Sequence, residues 1–171
     1  SFLASRNLDF SGFANRTASG WTAGWRRLLI RQHGDQGSQS EHHASDDGYL
    51  PQSFVLGGGV AARTKTIRLV LGAVILPLHD PVKLAEQIAV LDLMSGGRLS
   101  VIFGAGYVPS EFAMFKTSLR DRGKLLDQGI EIILRALRGE RFEADGRPVF
   151  VRPLPVQKPE DIIMVGGGVE A

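Results

Sequence analysis

The sequence predicts an α/β fold built on a parallel sheet, and three observations carry that prediction. First, the stretch from Thr66 to Gly106, TIRLVLGAVILPLHDPVKLAEQIAVLDLMSGGRLSVIFGAG, reads as strand, crossover helix and strand. Ile67 to Leu71 is an apolar, β-branched run and Leu99 to Phe103 is a second, continuous rather than alternating, as strands covered on both faces require. Second, Leu84, Ile88 and Leu91 fall between them at helical spacing, Ala85 and Ala89 widen the stripe, and Gly96-Gly97 stops it. Third, each strand runs into a loop of special residues, Gly72-Ala73 and Leu76-Pro77 after one, Gly104-Ala105-Gly106 after the other. Ligands of parallel α/β folds bind at the C-terminal ends of the strands, so the site is expected along these loops.

Composition narrows the class further. With 171 residues, 43% hydrophobic and 22% charged, the chain can bury one core of ordinary size. A net charge of +2, with basic residues that form no long run, argues against a dedicated nucleic-acid binder. The absence of cysteine excludes a disulfide framework, a thiolate nucleophile and a zinc–thiolate site. The longest apolar run, Leu69 to Leu78, is about half of the ~20 residues a membrane-spanning helix needs. Ser1 to Phe13 shows no basic start followed by an apolar block, so no signal peptide is read there. The expectation is a soluble, cytoplasmic protein with neither nucleic acid nor membrane as partner.

Taken in order, residues 1–39 form an atypical, poorly ordered arm and residues 40–171 the folded domain. The arm has no sustained period; only Trp25 to Ile30 suggests a short helix. Arg26, Arg27 and Arg31 near Trp21 and Trp25 make a basic-aromatic pattern, but the bland reading of an unstructured arm outweighs it. From Ser40 the text changes to SEHHASDDGYLPQ, which packs acid and imidazole together and turns through Gly48 and Pro51. A helix is predicted from Gln52 to Arg63, with Phe54, Val55, Leu56, Val60 and Ala61 facing a core. Gly57-Gly58-Gly59 in its middle costs roughly 1 kcal/mol per glycine relative to alanine, so packing must hold it. This triple glycine neither follows a strand nor opens a helix, which argues against a phosphate cradle.

Beyond the central unit, Pro109-Ser110-Glu111 opens a short helix carrying Phe112 and Phe115. A longer helix from Leu119 to Leu137 buries Leu126, Ile130, Ile133, Leu134 and Leu137 and stops at Gly139. Phe142 to Val151 reads as a hairpin turning at Asp145-Gly146. Prolines 153, 155 and 159 punctuate a loop, and Asp161 to Val165 gives a last apolar strand that delivers Gly166-Gly167-Gly168.

The run EHHASDDGYLP, then ARTKTIRLVLGAVILPLHDPVKLAEQIAVLDLMSGGRLSVIFGAGYVPSEF, and finally RPLPVQKPEDIIMVGGG resemble the bacterial luciferase-like family of flavin-dependent oxidoreductases over residues 40 to 168. The order and spacing of EHH, the ILPLHDP turn, LDLMSGGRL and the terminal VGGG make the resemblance specific. It implies a (β/α)8 TIM barrel binding FMN, or the deazaflavin F420, at the C-terminal ends of its strands. This chain then holds a partial barrel of about four to five parallel strands with flanking helices, roughly strands two to five, with an insertion near residues 140 to 158. The family carries an apolar strand before EHH, and Gln36-Gly37-Ser38-Gln39 is not expected to make one. Strands six to eight are not expected either, so the chain reads as a truncated member whose open sheet edges favour association into a homo-oligomer.

Residue by residue, the resemblance places catalysis on His42, with Glu41 orienting it. Histidine changes charge nearest neutral pH and suits a general base; read without the family, a surface histidine pair serves about as well. Gly72-Ala73 interrupts a β-branched strand, which marks a bulge or a close backbone approach, and its counterpart in the family is a non-proline cis bulge behind the flavin ring. Simple packing against a helix accounts for it nearly as well. Gly104-Ala105-Gly106 begins like a dinucleotide fingerprint but meets Pro109 where the third glycine belongs. The family often has an arginine at the middle position to hold the cofactor phosphate, and Ala105 cannot do so. Gly166, Gly167 and Gly168 offer backbone N–H groups to a phosphate if a helix follows.

The reaction implied is oxygenation of an organic substrate with reduced flavin and O2, or hydride transfer in the F420 branch. Two other classes stay open. One is a metal-dependent barrel hydrolase using His42, His43, Asp46 and Asp47; it ranks lower because adjacent residues on extended chain point opposite ways. The other is a non-catalytic remnant or interaction module.

Overall fold

The computed structural model describes residues 31–32, 36–39, 41–46 and 48–166. One sheet organises them. Strands β1 (Arg31–Gln32), β2 (Gln36–Gln39), β3 (Arg68–Ile75) and β4 (Leu99–Gly104) lie side by side in that order, and β7 (Ile163–Val165) extends the sheet beyond β4. Strands β2, β3, β4 and β7 run parallel, and β1 is antiparallel to β2. Strands β5 (Phe142–Ala144) and β6 (Arg147–Val149) form a separate hairpin. Five helices flank them: α1 (Ser53–Arg63), α2 (Pro81–Ser95), α3 (Pro109–Met114), α4 (Arg122–Leu137) and α5 (Pro159–Ile162). This is part of a parallel α/β barrel, as the sequence predicts. No helix among the described residues is long and apolar enough to cross a membrane.

The β3–α2–β4 unit forms for the reasons its sequence supplies. Leu69, Leu71 and Val74 on β3, and Leu99, Val101 and Phe103 on β4, are wholly buried, each contributing on the order of 2 kcal/mol by leaving water. From α2, Leu84, Ala85, Ile88, Ala89 and Leu91 close the same core. Asp80 caps α2 by accepting the Val82 and Lys83 N–H groups, and Gly96, at φ 67°, ends it in the left-handed conformation. In α1, a Cβ on Gly57 would stand 3.0 Å from a Leu91 methyl and 3.4 Å from one of Leu71. One of the three costly glycines is thus what lets α1 reach the core.

The residues after α2 tie neighbouring segments together. The Arg98 guanidinium donates to Thr64 Oγ1, to Thr64 O and to Ile67 O, and its Nε donates to Ser95 O, fastening the end of α1 to the start of β3. Asp92 is fully buried, and its carboxylate accepts the Val156 and Gln157 N–H groups at 2.8 and 2.9 Å and Gln157 Nε2 at 2.7 Å. It is the internal peg of the loop between the hairpin and α5. Asp92→Ala takes the acceptor from three part-buried donors and is expected to lower stability by about 1–3 kcal/mol, read as a fall in the urea midpoint at unchanged m-value.

The hairpin turns where expected, with Asp145 at φ 51° and Gly146 at φ 68°, the pair of positive angles a tight two-residue turn demands. Arg147 beyond that turn reaches Asp80 at 2.8 Å. Partial burial disfavours the charged carboxyl of Asp80, but the Lys83 N–H, Arg147 and the Val82 N–H outweigh it and hold its pKa below the usual 3.8. A folded-state value below the unfolded one makes this a small stabilisation, present above that pH and lost as the pH falls through the depressed value.

Two expectations are corrected. Gln36–Gln39 does form a strand, β2, paired from Gln36↔Arg68 to Gln39↔Leu71. Its side chains carry no strand pattern because what makes it a strand is backbone pairing along the edge of β3, to which composition is blind. The expected strand from Asp161 to Val165 is shorter. Pro159 at the first helical position, followed by Glu160 and Asp161, starts a helical turn, and β7 begins only at Ile163. The expected helix from Trp25 to Ile30 lies outside the described residues.

Candidate functional site

Because β2, β3, β4 and β7 are parallel, the segments leaving their C-terminal ends meet on one rim. Glu41 follows β2 and donates its N–H to Ala73 O at 3.3 Å, while His42 donates its N–H to Leu50 O at 3.2 Å. The Gly72–Ala73 peptide is cis, and the β3–β4 register shifts between Gly72 and Val74, so the bulge read from the sequence is present. A Cβ on Gly72 would fall 2.8 Å from Ile102 Cδ1, and one on Gly104 would stand 3.2 Å from Ala73 Cβ. Gly166 donates its N–H to Phe103 O at 2.8 Å. Glu41, Ala73, Gly104 and Gly166 are therefore neighbours around one end of the sheet. Gly167 and Gly168 lie outside the described residues.

The side chains on this rim form two linked hydrogen-bonded groups. In the first, Glu41 is buried and its Oε1 accepts Nε2–H from His43 at 2.7 Å and from His79 at 2.8 Å, while Oε2 accepts the Ile75 N–H at 3.2 Å. In the second, Glu111, the third residue of α3, is equally buried. Its Oε1 accepts the His43 backbone N–H at 2.8 Å and the His42 ring Nδ1–H at 3.1 Å. Its Oε2 is buried with no hydrogen-bond partner among the described residues.

This geometry corrects one expected role. Glu41 is turned to His43 and His79, and the carboxylate that orients His42 is Glu111. Successive side chains alternate in direction along extended chain, so Glu41 and His43 share one side and His42 takes the other. With Nδ1 carrying the proton toward Glu111, Nε2 is left as the basic nitrogen of His42. That imidazole is part-exposed and meets two tyrosine rings edge-on, Tyr49 at 4.9 Å and Tyr107 at 6.2 Å between centroids.

The candidate ligand set of His42, His43, Asp46 and Asp47 is not brought together among its described members. The two imidazoles bond to different carboxylates, Asp46 is exposed, and Asp47 lies outside the described residues.

Glu111 and His79 were not singled out by the sequence reading. The signal for Glu111 was weak, since an acid in the first turn after a proline serves any helix start. Its burial between Pro109 and Phe112 sets it apart only once α3 is folded down.

The glycine loop after β4 is shaped by packing. Gly106 sits at φ 73°, and a Cβ there would stand 2.6 Å from Ile75 Cγ2 and 3.0 Å from Phe112 Cε2. Gly106→Ala combines a left-handed residue with a steric clash and is expected to cost about 2–4 kcal/mol. Thermal unfolding would read the loss, and a shift of α3 would loosen the Glu111–His42 bond with it. Ala105 packs part-buried against the main core and brings no cation to the rim.

The model of the luciferase-like monooxygenase family matches residues 35–171. The chain belongs to that family. Its relatives include the oxygenase component of a flavin-dependent trigonelline monooxygenase from Acinetobacter baylyi, 30% identical over 73% of this chain and 36% of the relative. The crystal structure of the monooxygenase RslO1 from Streptomyces bottropensis superposes with a TM-score of 0.68 at 35% identity, covering 75% of this chain and 41% of that one. The oxygenating constituent of 3,6-diketocamphane monooxygenase from Pseudomonas putida, solved in complex with FMN, shares the fold with a TM-score of 0.62 at 23% identity, over 81% of this chain and 41% of that one. This luciferase-like chain spans about two fifths of the length of these relatives.

Proposed function

We propose that this rim is the ring end of a flavin site serving oxygenation of a small organic substrate, with His42 as the proton-transferring residue and Glu111 as its positioning residue. One observation carries the proposal: a buried carboxylate holds the part-exposed His42 by Nδ1 on the same rim as Gly104 and Ala73. The residues suit a planar heterocycle. Gly104 lies close against Ala73 on the rim, and Glu111 Oε2, without a partner among the described residues, is a buried acceptor whose isolation costs about 1–3 kcal/mol until a donor meets it. At the phosphate end, the N–H groups of Gly104 to Gly106 are the proposed contacts, with Ala105 supplying no charge and the Gly166 N–H already given to Phe103 O.

When bound, the flavin supplies the redox chemistry that activates oxygen. The protein's part is narrower. Glu111 fixes the tautomer of His42, His42 Nε2 takes up or returns a proton at the reacting centre, and the Tyr49 and Tyr107 rings flank that nitrogen's ring. Titrating the chain with FMN and, separately, with F420 tests the reading, followed by cofactor fluorescence. Saturable FMN binding is expected, weaker in Glu111→Ala. Selective F420 binding would convert the proposal to hydride transfer, and failure to bind either would remove it.

A further inference from the structure

Glu41, His43 and His79 bring three ligand-type atoms into one spot that the flavin proposal leaves unused. Glu41 Oε1 is 2.7 Å from His43 Nε2 and 2.8 Å from His79 Nε2, and the three atoms all lie within 4.8 Å of one another. The Glu41 and His43 side chains are each 2% exposed, while that of His79 is 20% exposed and leaves one way in.

Two imidazole nitrogens and one carboxylate oxygen are a donor set that borderline divalent ions take, with a fourth position left to solvent. The three residues are also held from outside the cluster. Glu41 N–H is bound to Ala73 O, His43 N–H to Glu111 and His79 N–H to Leu76 O. The second oxygen of Glu41 is fixed by the Ile75 N–H, the kind of outer contact that orients a ligating carboxylate. Both imidazoles crowd a single oxygen, so the cluster draws together at one point instead of spreading over the carboxylate.

We propose that Glu41, His43 and His79 form a binding site for one divalent ion of the zinc or cobalt type, clipping the segment after β2 to the segment after β3. Each neutral imidazole would move its proton from Nε2 to Nδ1, freeing the Nε2 lone pair for the ion. Two N–H···O bonds are exchanged for three metal bonds with no net release of protons. His42 stays outside, held by Glu111, so the ion and the proposed proton-transfer residue do not compete.

The test uses the whole chain freed of metal, titrated with Zn2+ by calorimetry and with Co2+ by visible spectroscopy. One ion per chain is expected, with the ligand-field bands of four-coordinate cobalt and a raised thermal midpoint. His79→Ala and Glu41→Gln should each weaken binding by more than the roughly 10- to 100-fold that loss of an outer-shell contact costs, while His42→Ala leaves it unchanged. Should either cluster variant fail to fold, the cobalt spectrum of the unaltered chain still decides the matter. No uptake, cobalt bands of six-coordinate type, or affinity that survives His79→Ala would overturn the proposal and leave a hydrogen-bonded clamp. Because FMN binding is read separately on the metal-free chain, neither result depends on the other.

Discussion

Glu41→Ala is expected to lower the folding stability of this chain by about 3–5 kcal/mol, the largest loss predicted for a single side chain. Three donors converge on that carboxylate, the ring N–H groups of His43 and His79 and the Ile75 N–H, and it is buried at 2% exposure. Truncation takes the acceptor from all three, and buried groups left unsatisfied cost more than the net worth of the bonds lost. Glu41→Gln keeps the shape and one acceptor oxygen, so its loss should be smaller, about 1–2 kcal/mol. Urea denaturation followed by circular dichroism separates the two. Equal and negligible losses would mean that the network does not hold the rim together.

The second large effect concerns chemistry. In an assay supplying reduced FMN, oxygen and an oxygenatable substrate, His42→Gln should reduce turnover by about 10²- to 10⁴-fold, the usual worth of a positioned general base. Glu111→Gln removes the charge that fixes the His42 tautomer but keeps an acceptor near Nδ1. It should lower kcat more than it raises KM. A glutamine at position 42 that left the rate intact would assign the proton transfer elsewhere.

Much of this fold could be read from the chain, and the parts that could not share a physical reason. The β3–α2–β4 unit was legible because its signals are local: apolar runs at Leu69 and Leu99, the helical spacing of Leu84, Ile88 and Leu91, and a closing Gly96-Gly97. The hairpin was legible because Asp145-Gly146 is a turn on its own account. β2 was not, since Gln36-Gly37-Ser38-Gln39 becomes a strand only by lying against β3. The site divides the same way. Gly72, Ala73 and Gly104 could be placed on one rim from the order of strands, and Glu41 and His42 through the family resemblance. The partnership of Glu111 with His42 spans 69 residues and joins a loop to a helix, and no spacing rule reaches that far. The role expected of Glu41 went to Glu111 because alternation along three consecutive residues decides which carboxylate each imidazole can meet.

The measurement that bears most directly on the account is a backbone amide NMR spectrum recorded with and without FMN. The account predicts shifts confined to the rim, at Glu41 to His43, Gly72 to Ile75, Gly104 to Tyr107 and Glu111. It predicts no change at the other end of the sheet, at Arg68, Arg98 and Leu99. Shifts gathered at that opposite end, or none at saturating FMN, would contradict it.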